Sequence, residues 1–291
     1  MFKLAVIGLD TSHSTVFTEL MQDKEKKIVD KLQVISCMRF PTPFHSEPDQ
    51  DKRQELLEGL GVKVTRSFEE AVSGVDGIMI EINDPAPHLE YFEKCADLGL
   101  PIFLDKPMAD NIENGIKIYN IAKAKNIPVW SSSSLRFTPE IIDCAAKVQN
   151  PSLVSVFGPM GKAASGSSLI WYGVHAFEML MTLMGSGAEY VYAREDERGI
   201  VSIVDYEGER RGVVECNTGL SQYGGRAQNS ELADNYITAG SPYPGLIKAL
   251  EDFFIKNVIP VAFEETLEIQ AMMDAAKKSL ESGKKEAVYK L

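Results

Sequence analysis

Residues 3–9 read KLAVIGL, a short apolar run that includes the β-branched residues Val6 and Ile7. A polar turn follows it, and apolar residues then recur at helical spacing from about residue 14 to residue 27. Because a strand, a turn and a helix follow one another here, the stretch predicts the first strand–helix unit of an α/β sheet.

The same alternation of strand and helix patterns continues to residue 130. Further strand patterns occur at 32–37, 62–65, 77–82, 102–104 and 128–130. The helical patterns between them occur at 49–60, 67–73, 88–98 and 112–125. Six strands alternating with helices predict a Rossmann-type, doubly wound parallel sheet, an α/β dinucleotide-binding-type domain over residues 1–130. In such a sheet the ligand crevice lies at the carboxyl ends of the strands.

The pattern changes after the serine run 131–134. Helices are predicted at 139–148, 172–184, 245–256 and 264–282. Strands are predicted at 153–157, 190–193, 199–205, 212–217 and 235–238. Because several strands follow one another without helices, we expect an α+β domain over residues 131–291 with a mainly antiparallel open sheet. The closing helices could pack against the first domain. We expect the functional site to lie in the cleft between the two domains.

Composition excludes several classes of partner and site. The 291 residues include 30 Lys plus Arg against 42 Asp plus Glu, a net charge of −12, and the basic residues are scattered. Nucleic acid and anionic membranes are therefore not expected partners. The four cysteines lie far apart without a Cys-x-x-Cys pair, which argues against disulfides and thiolate zinc sites. With no secretory signal pattern and no long apolar window, we expect a cytoplasmic protein.

The turn after the first strand departs from the dinucleotide pattern Gly-x-Gly-x-x-Gly. It reads Gly8-Leu9-Asp10-Thr11-Ser12-His13, in which only the first glycine is present. The glycines of the pattern let backbone amides and a helix amino terminus approach a pyrophosphate. Asp10 would either repel a phosphate or turn away to cap the helix, a role that Ser12 could also fill. The candidate phosphate-lining residues are Gly8, Thr11, Ser12 and His13.

The end of the second predicted strand bears on the choice of cofactor. NAD-binding folds place an acidic residue here to hold the ribose hydroxyls, but this position holds Met38. Arg39 follows, and an arginine there could accept the 2′-phosphate of NADP. The alternative is an ordinary solvent-exposed arginine. If a dinucleotide binds, the sequence therefore favours NADP over NAD.

The most specific motif follows the fifth predicted strand, residues 102–104. It reads Asp105-Lys106-Pro107, and Asp84-Pro85 and His88 follow the fourth strand. This arrangement resembles the Gfo/Idh/MocA family of NAD(P)-dependent oxidoreductases, which carries Glu-Lys-Pro at this place. The resemblance implies that Lys106 lies between nicotinamide and substrate, where it can orient or protonate a substrate oxygen. A surface ion pair is the alternative for Lys106. The cofactor-site residues that the resemblance implies here are Asp84, Pro85, His88, Asp105 and Lys106.

A second matching segment, residues 171–178, reads WYGVHAFE. It resembles the family segment that presents an aspartate and, four residues later, a histidine to the substrate. His175 matches the histidine, a candidate proton donor or acceptor, and a packed core histidine is the alternative. Trp171 stands in place of the aspartate, and helical spacing predicts that it neighbours His175. Residues 135–137, LRF, resemble the family's entry to the second domain.

The resemblance implies an oxidoreductase that moves a hydride between a nicotinamide cofactor, NAD or NADP, and a hydroxyl or carbonyl group of a sugar, polyol or related small molecule. Lys106 and His175 would handle the substrate oxygen and its proton. It also implies a homodimer or homotetramer. The departures from the family pattern leave open an alternative function, a non-catalytic binding or regulatory protein with a degenerate cofactor site.

A metal site is a further alternative. Asp10, His13, His88, Asp105 and His175 all project toward one crevice in the predicted fold, and carboxylates with imidazoles can bind a divalent metal ion. Their spacing in the sequence matches no compact ligand motif. The sequence therefore predicts no metal site.

Overall fold

The computed structural model describes all 291 residues, which divide into two compact units. Unit 1 comprises Met1–Ser131, Ala164–Gly166 and Pro244–Phe263. Unit 2 comprises Ser132–Ala163, Ser167–Tyr243 and Glu264–Leu291.

The chain forms thirteen strands and nine α-helices. The strands are β1 (Phe2–Ile7), β2 (Leu32–Met38), β3 (Lys63–Thr65), β4 (Gly77–Ile80), β5 (Ile102–Leu104), β6 (Val129–Trp130), β7 (Leu153–Pro159), β8 (Ala188–Asp196), β9 (Gly199–Tyr206), β10 (Arg211–Asn217), β11 (Gly224–Gln228), β12 (Ala233–Ile237) and β13 (Glu286–Ala287). The helices are α1 (Ser12–Gln22), α2 (Glu47–Gly59), α3 (Phe68–Ala71), α4 (His88–Ala96), α5 (Ile112–Lys125), α6 (Pro139–Lys147), α7 (Val174–Met184), α8 (Tyr243–Lys256) and α9 (Phe263–Ser282).

Unit 1 is built on a six-stranded parallel sheet with the strand order β3-β2-β1-β4-β5-β6. The predicted doubly wound sheet is confirmed. Four consecutive β1 residues, Leu4 to Ile7, are fully buried, because a parallel sheet has helices on both faces. This strand therefore has consecutive apolar residues instead of the alternating pattern of a half-exposed strand.

Most of helix α8 belongs to unit 1, although it follows unit 2 in the chain. The ring of Phe253 packs edge-on against Trp130 at 5.8 Å, and Phe254 lies 5.6 Å from Phe2. Burying each such aromatic side chain stabilises the fold by about 1.5–3 kcal/mol. The helix therefore adds a substantial part of the core beside β1 and β6.

Gly8 brings the ends of three strands of unit 1 together. Its amide donates to the carbonyl of Met38 at the end of β2. Its φ of 111° lies in the left-handed region, and a Cβ at this position would stand 2.3 Å from the carbonyl oxygen of Glu81. Only glycine allows β1 to end this close to the chain that follows β4.

Unit 2 contains a seven-stranded sheet with the order β12-β11-β7-β10-β9-β8-β13. The pairing of β7 with β10 is parallel, and the other five pairings are antiparallel. The predicted mainly antiparallel sheet is confirmed. Two strands, β11 and β13, were not predicted, because β11 begins with two glycines and β13 has only two residues. Glycine is required at Gly224, where a Cβ would lie 2.6 Å from the Tyr236 carbonyl oxygen.

Helix α7 is buried along most of its length and packs on one face of the second sheet. One π-helical turn, Leu169–Gly173, precedes it, so the α-helix begins two residues later than predicted. The other face of the sheet exposes apolar side chains, namely Tyr190, Tyr192, Val201 and Ile203. None of the nine helices combines the length and the apolar content that a bilayer span requires.

Candidate functional site

The turn between β1 and α1 presents an open helix amino terminus. Thr11 is the N-cap, and its side chain accepts a hydrogen bond from the His13 amide at 3.2 Å. Ser12, the first helical residue, is exposed, and the first turn of α1 contains no acidic side chain. The alternative in which Asp10 or Ser12 caps the helix was wrong, because Thr11 has the extended backbone of an N-cap and already supplies the acceptor. The partial positive charge of the helix therefore remains available to an anion.

The carboxylate of Asp10 is turned into the protein. It accepts hydrogen bonds from the Asn83 amide at 2.9 Å and from the Thr42 hydroxyl at 2.7 Å. The Asn83 side chain in turn donates to the Asp10 carbonyl. Asp10 thus ties the turn after β1 to the segments that follow β4 and β2, because its carboxylate satisfies donors there instead of capping α1.

Arg39 is buried, so the alternative of a solvent-exposed arginine was wrong. Its guanidinium donates to Glu47 at 2.5 Å, to Asp51 at 2.7 Å and to Gln54 at 2.7 Å, all on α2. The carboxylates of Glu47 and Asp51 therefore already neutralise the Arg39 guanidinium, which the sequence predicted as a binding group for a 2′-phosphate.

His88 links two loops at the carboxyl edge of the parallel sheet. The side chain is fully buried, and its Nε2 lies 2.8 Å from the Ile82 carbonyl oxygen while its Nδ1 lies 3.3 Å from that of Met108. In the same loop, Asp84 accepts a hydrogen bond from the Ala86 amide, and Pro85 is buried. His88 therefore contributes to this edge by holding the segments after β4 and β5 together.

Three buried side chains meet at the ends of β1, β4 and β5. His13 Nδ1 lies 2.8 Å from Asp105 Oδ2 and 3.9 Å from Glu81 Oε2. The imidazole stacks on Phe17, with ring centroids 4.6 Å apart. We call His13, Glu81 and Asp105 the edge cluster. His13 stands at the position of the third glycine of the dinucleotide pattern, and its imidazole extends to Asp105 at the end of β5.

The two carboxyl groups of the edge cluster have opposite pKa shifts. Burial raises the pKa of Glu81 well above its usual range, and the nearby charge of Asp105 adds to this while Lys106 offsets part of it. Burial alone would also raise the pKa of Asp105, but the charges of His13 and Lys106, with the hydrogen bond to His13, outweigh it and lower that pKa. Asp105 is therefore the ionised partner of His13.

Lys106 directly follows Asp105 and is also buried. The alternative of a surface ion pair was therefore wrong. The peptide bond from Lys106 to Pro107 is cis. The aliphatic chain is enclosed at the carboxyl edge of the sheet, which is the edge where parallel α/β sheets bind their ligands.

Unit 2 holds His175 among polar and aromatic groups. Its Nδ1 lies 2.7 Å from the hydroxyl oxygen of Ser133, and the rings of Tyr172 and Tyr223 contact it edge-on at 5.2 and 5.8 Å. Burial raises the pKa of Tyr223, and its hydrogen bond with Tyr172 raises it further. The contact with Ser133 therefore orients the imidazole, and the nearby Tyr223 hydroxyl is neutral.

A buried ion pair supports the segment that carries Ser133. Glu178 on α7 accepts hydrogen bonds from the Ser133 amide at 3.1 Å and from Arg136, which also donates to Glu265 at 3.1 Å. Burial raises the pKa of Glu178, and the charge of Arg136 offsets only part of that rise. Arg136, the central residue of the LRF segment, therefore helps to hold Ser133 against His175.

Trp171 lies in the π-helical turn before α7. The ring of Trp171 contacts Tyr172 at 5.1 Å, and Tyr172 contacts His175.

Several functional candidates were missed in the sequence. Glu81 is the only charge in the apolar segment 77–82, and a charge in a buried strand is a signal that could have revealed it. Arg53 donates to the Leu9 carbonyl in the turn at 3.2 Å, and an arginine inside a polar helix gives no such signal. Ser133 and Tyr223 meet His175 only through the tertiary fold.

Comparisons with known proteins bear on this geometry. Residues 2–133 match the family model described as the oxidoreductase family with an NAD-binding Rossmann fold, Gfo/Idh/MocA. The match covers the amino-terminal part of the chain, which contains most of unit 1. The resemblance carried by Asp105-Lys106-Pro107 is thereby confirmed. No curated protein matches the chain in sequence.

Solved structures of dehydrogenases are similar along nearly the whole chain. Scyllo-inositol dehydrogenase from Lactobacillus casei, solved with NAD(H) and scyllo-inositol, has a TM-score of 0.81 at 12% identity, covering 99% of each chain. Myo-inositol dehydrogenase from Corynebacterium glutamicum has a TM-score of 0.78 at 14% identity, covering 100% of each chain. At such identities the likeness establishes the fold alone.

Proposed function

We propose that this protein is an NAD-dependent dehydrogenase of the Gfo/Idh/MocA family that acts on a small polyol, sugar or related hydroxy compound. The observation that carries the proposal is the buried Lys106 at the end of β5, on the same sheet edge as the open amino terminus of α1. Lys106 can donate a hydrogen bond to a reacting oxygen, and the amino terminus of α1 can bind a pyrophosphate.

The residues of the β1–α1 turn fit a dinucleotide despite the missing glycines. Thr11 and Ser12 offer hydroxyl groups at a helix end that carries no carboxylate, and Asp10 is occupied elsewhere. Arg53, bonded to the Leu9 carbonyl, adds a positive charge to the same turn. When bound, NAD supplies the nicotinamide ring that accepts or returns a hydride.

The neighbours of Arg39 favour NAD over NADP, against the expectation from the sequence. A 2′-phosphate on this guanidinium would have to approach the carboxylates of Glu47 and Asp51. Repulsion between like charges and the loss of these two ion pairs both oppose it. We therefore assign Arg39 to holding α2 against the end of β2.

We assign the substrate chemistry to Lys106 and His175. The Lys106 ammonium donates a hydrogen bond to the reacting oxygen, which orients the carbon that exchanges the hydride. His175, oriented by Ser133, accepts or returns the hydroxyl proton. The inositol dehydrogenase names among the similar structures support a polyol-like substrate class for this proposal.

A titration with reduced dinucleotides tests the proposed cofactor. We expect NADH to bind with a micromolar Kd, at least about tenfold below the Kd for NADPH, a difference of about 1.4 kcal/mol. The double variant Glu47→Gln/Asp51→Asn should narrow this preference because it frees the Arg39 guanidinium. Nucleotide fluorescence gives both constants.

The control for this titration is Glu55→Gln, an exposed carboxylate on the same helix, which should leave both constants unchanged. Tighter binding of NADPH than of NADH to the native chain would contradict the assignment of NAD. No binding of either at millimolar concentration would instead favour the non-catalytic binding protein.

Replacement of His175 with alanine tests its role. Removing a general acid or base typically costs about 10²-fold or more in turnover, so we expect kcat to fall by about that factor with a small change in KM. Ser133→Ala keeps the imidazole and should cause a smaller fall. Steady-state kinetics with a polyol panel measures both, and a kcat within twofold of the native value would remove His175 from the chemistry.

A further inference from the structure

The edge cluster has more buried acceptor atoms than donors to satisfy them. Glu81 is fully buried, and neither of its carboxylate oxygens has a hydrogen-bond partner. Asp105 Oδ1 is also buried without one, although Asp105 Oδ2 is bound to His13. Buried carboxylate oxygens without donors are unusual in folded proteins and call for a cation or a proton.

The three side chains are arranged as metal ligands are. One ligand atom from each of His13, Glu81 and Asp105 lies within 4.8 Å of the other two. An ion bound at about 2.1 Å to each would place tetrahedral ligand atoms about 3.4 Å apart. The observed separations of 2.8 and 3.9 Å from His13 Nδ1 lie on either side of that value. Small side-chain adjustments are therefore enough to receive an ion.

A proton alone does not complete this arrangement. If Glu81 were protonated, its O–H could donate to one acceptor, and one of the three oxygens would still lack a donor. A divalent cation contacts one oxygen of each carboxylate and the imidazole nitrogen at once, and it neutralises both charges.

We propose that His13, Glu81 and Asp105 form a binding site for a divalent transition-metal ion of the zinc class. The imidazole ligand favours such an ion over magnesium or calcium, which prefer oxygen ligands alone. Three protein ligands leave a coordination position for water or a ligand oxygen. The sequence predicts no metal site, because the spacing of His13 and Asp105 matches no compact ligand motif and Glu81 lies within an apolar run.

The inference does not rest on the proposed dehydrogenase function, and its test uses no dinucleotide. The full-length protein is treated with a chelator, titrated with ZnCl₂ by calorimetry, and checked for metal content after gel filtration. We expect about one zinc ion per chain. Glu81→Gln, which keeps the shape of the side chain, should weaken zinc binding at least about 30-fold, since loss of a ligand costs more than loss of a supporting contact.

The matched control is Asp84→Asn, which removes a carboxylate of the same loop outside the edge cluster and should leave zinc affinity unchanged. If Glu81→Gln does not fold, the spectrum of the native protein with Co²⁺ replaces it. We expect nitrogen and oxygen ligation without a thiolate charge-transfer band, because the four cysteines lie outside the cluster. No stoichiometric zinc, zinc binding that is indifferent to Glu81→Gln, or a thiolate band would each overturn the proposal.

Discussion

Lys106→Met is expected to lower kcat/KM by about 10²–10⁴-fold while leaving the Kd for NADH within about threefold of the native value. The methionine keeps most of the length of the side chain and removes the ammonium. Because the side chain is buried at the edge of the parallel sheet, no solvent cation replaces it. Loss of a charged group that holds and orients a reacting oxygen has an effect of this size.

The matched control for this variant is Lys125→Met, an exposed lysine of the same unit that pairs with Asp97. It should behave as the native protein does in steady-state kinetics and in NADH titration. A Lys106→Met protein with near-native kcat/KM would remove Lys106 from the mechanism. A protein with equal losses in turnover and in NADH affinity would indicate a damaged cofactor site instead.

Gly8→Ala is expected to destabilise unit 1 by roughly 2–6 kcal/mol. Forcing a side chain into the left-handed backbone region costs about 1–3 kcal/mol, and overpacking costs about 1–3 kcal/mol more. Here the new Cβ would meet the Glu81 carbonyl oxygen at 2.3 Å, and backbone cannot move aside as a flexible side chain can. The ends of β1 and β4 would have to separate.

Urea unfolding followed by tryptophan fluorescence measures this loss. The chain has two tryptophans, so a Trp171→Phe background leaves Trp130, in β6 of unit 1, as the reporter. Gly59→Ala is the control, because its Cβ would meet nothing within 4 Å at the end of α2. It should be neutral or slightly stabilising. A Gly8→Ala midpoint equal to that of the control would contradict the close approach of β1 to Glu81.

The parallel sheet was predictable because its signals are local. The apolar run of β1 and the strand at 102–104 stand out at the right lengths, and strand–helix alternation fixes the layered architecture. The lysine after β5 was found for the same reason, since it directly follows a strand whose end must lie at the ligand edge.

Other features depend on contacts between distant residues and have no local signal. The partners of Arg39 come from α2, and only the fold reveals that its charge is already neutralised. The edge cluster joins residues 13, 81 and 105 from three strand ends. The π-helical turn at Leu169–Gly173 precedes α7 without any break in the helical sequence pattern.

The most direct test of this account is an experimental structure of the protein with NADH. We predict the pyrophosphate within hydrogen-bond distance, about 3 Å, of Ser12 at the amino terminus of α1, and the nicotinamide ring beside the Lys106 ammonium. A dinucleotide bound away from the β1–α1 turn, or a nicotinamide ring remote from Lys106, would contradict it.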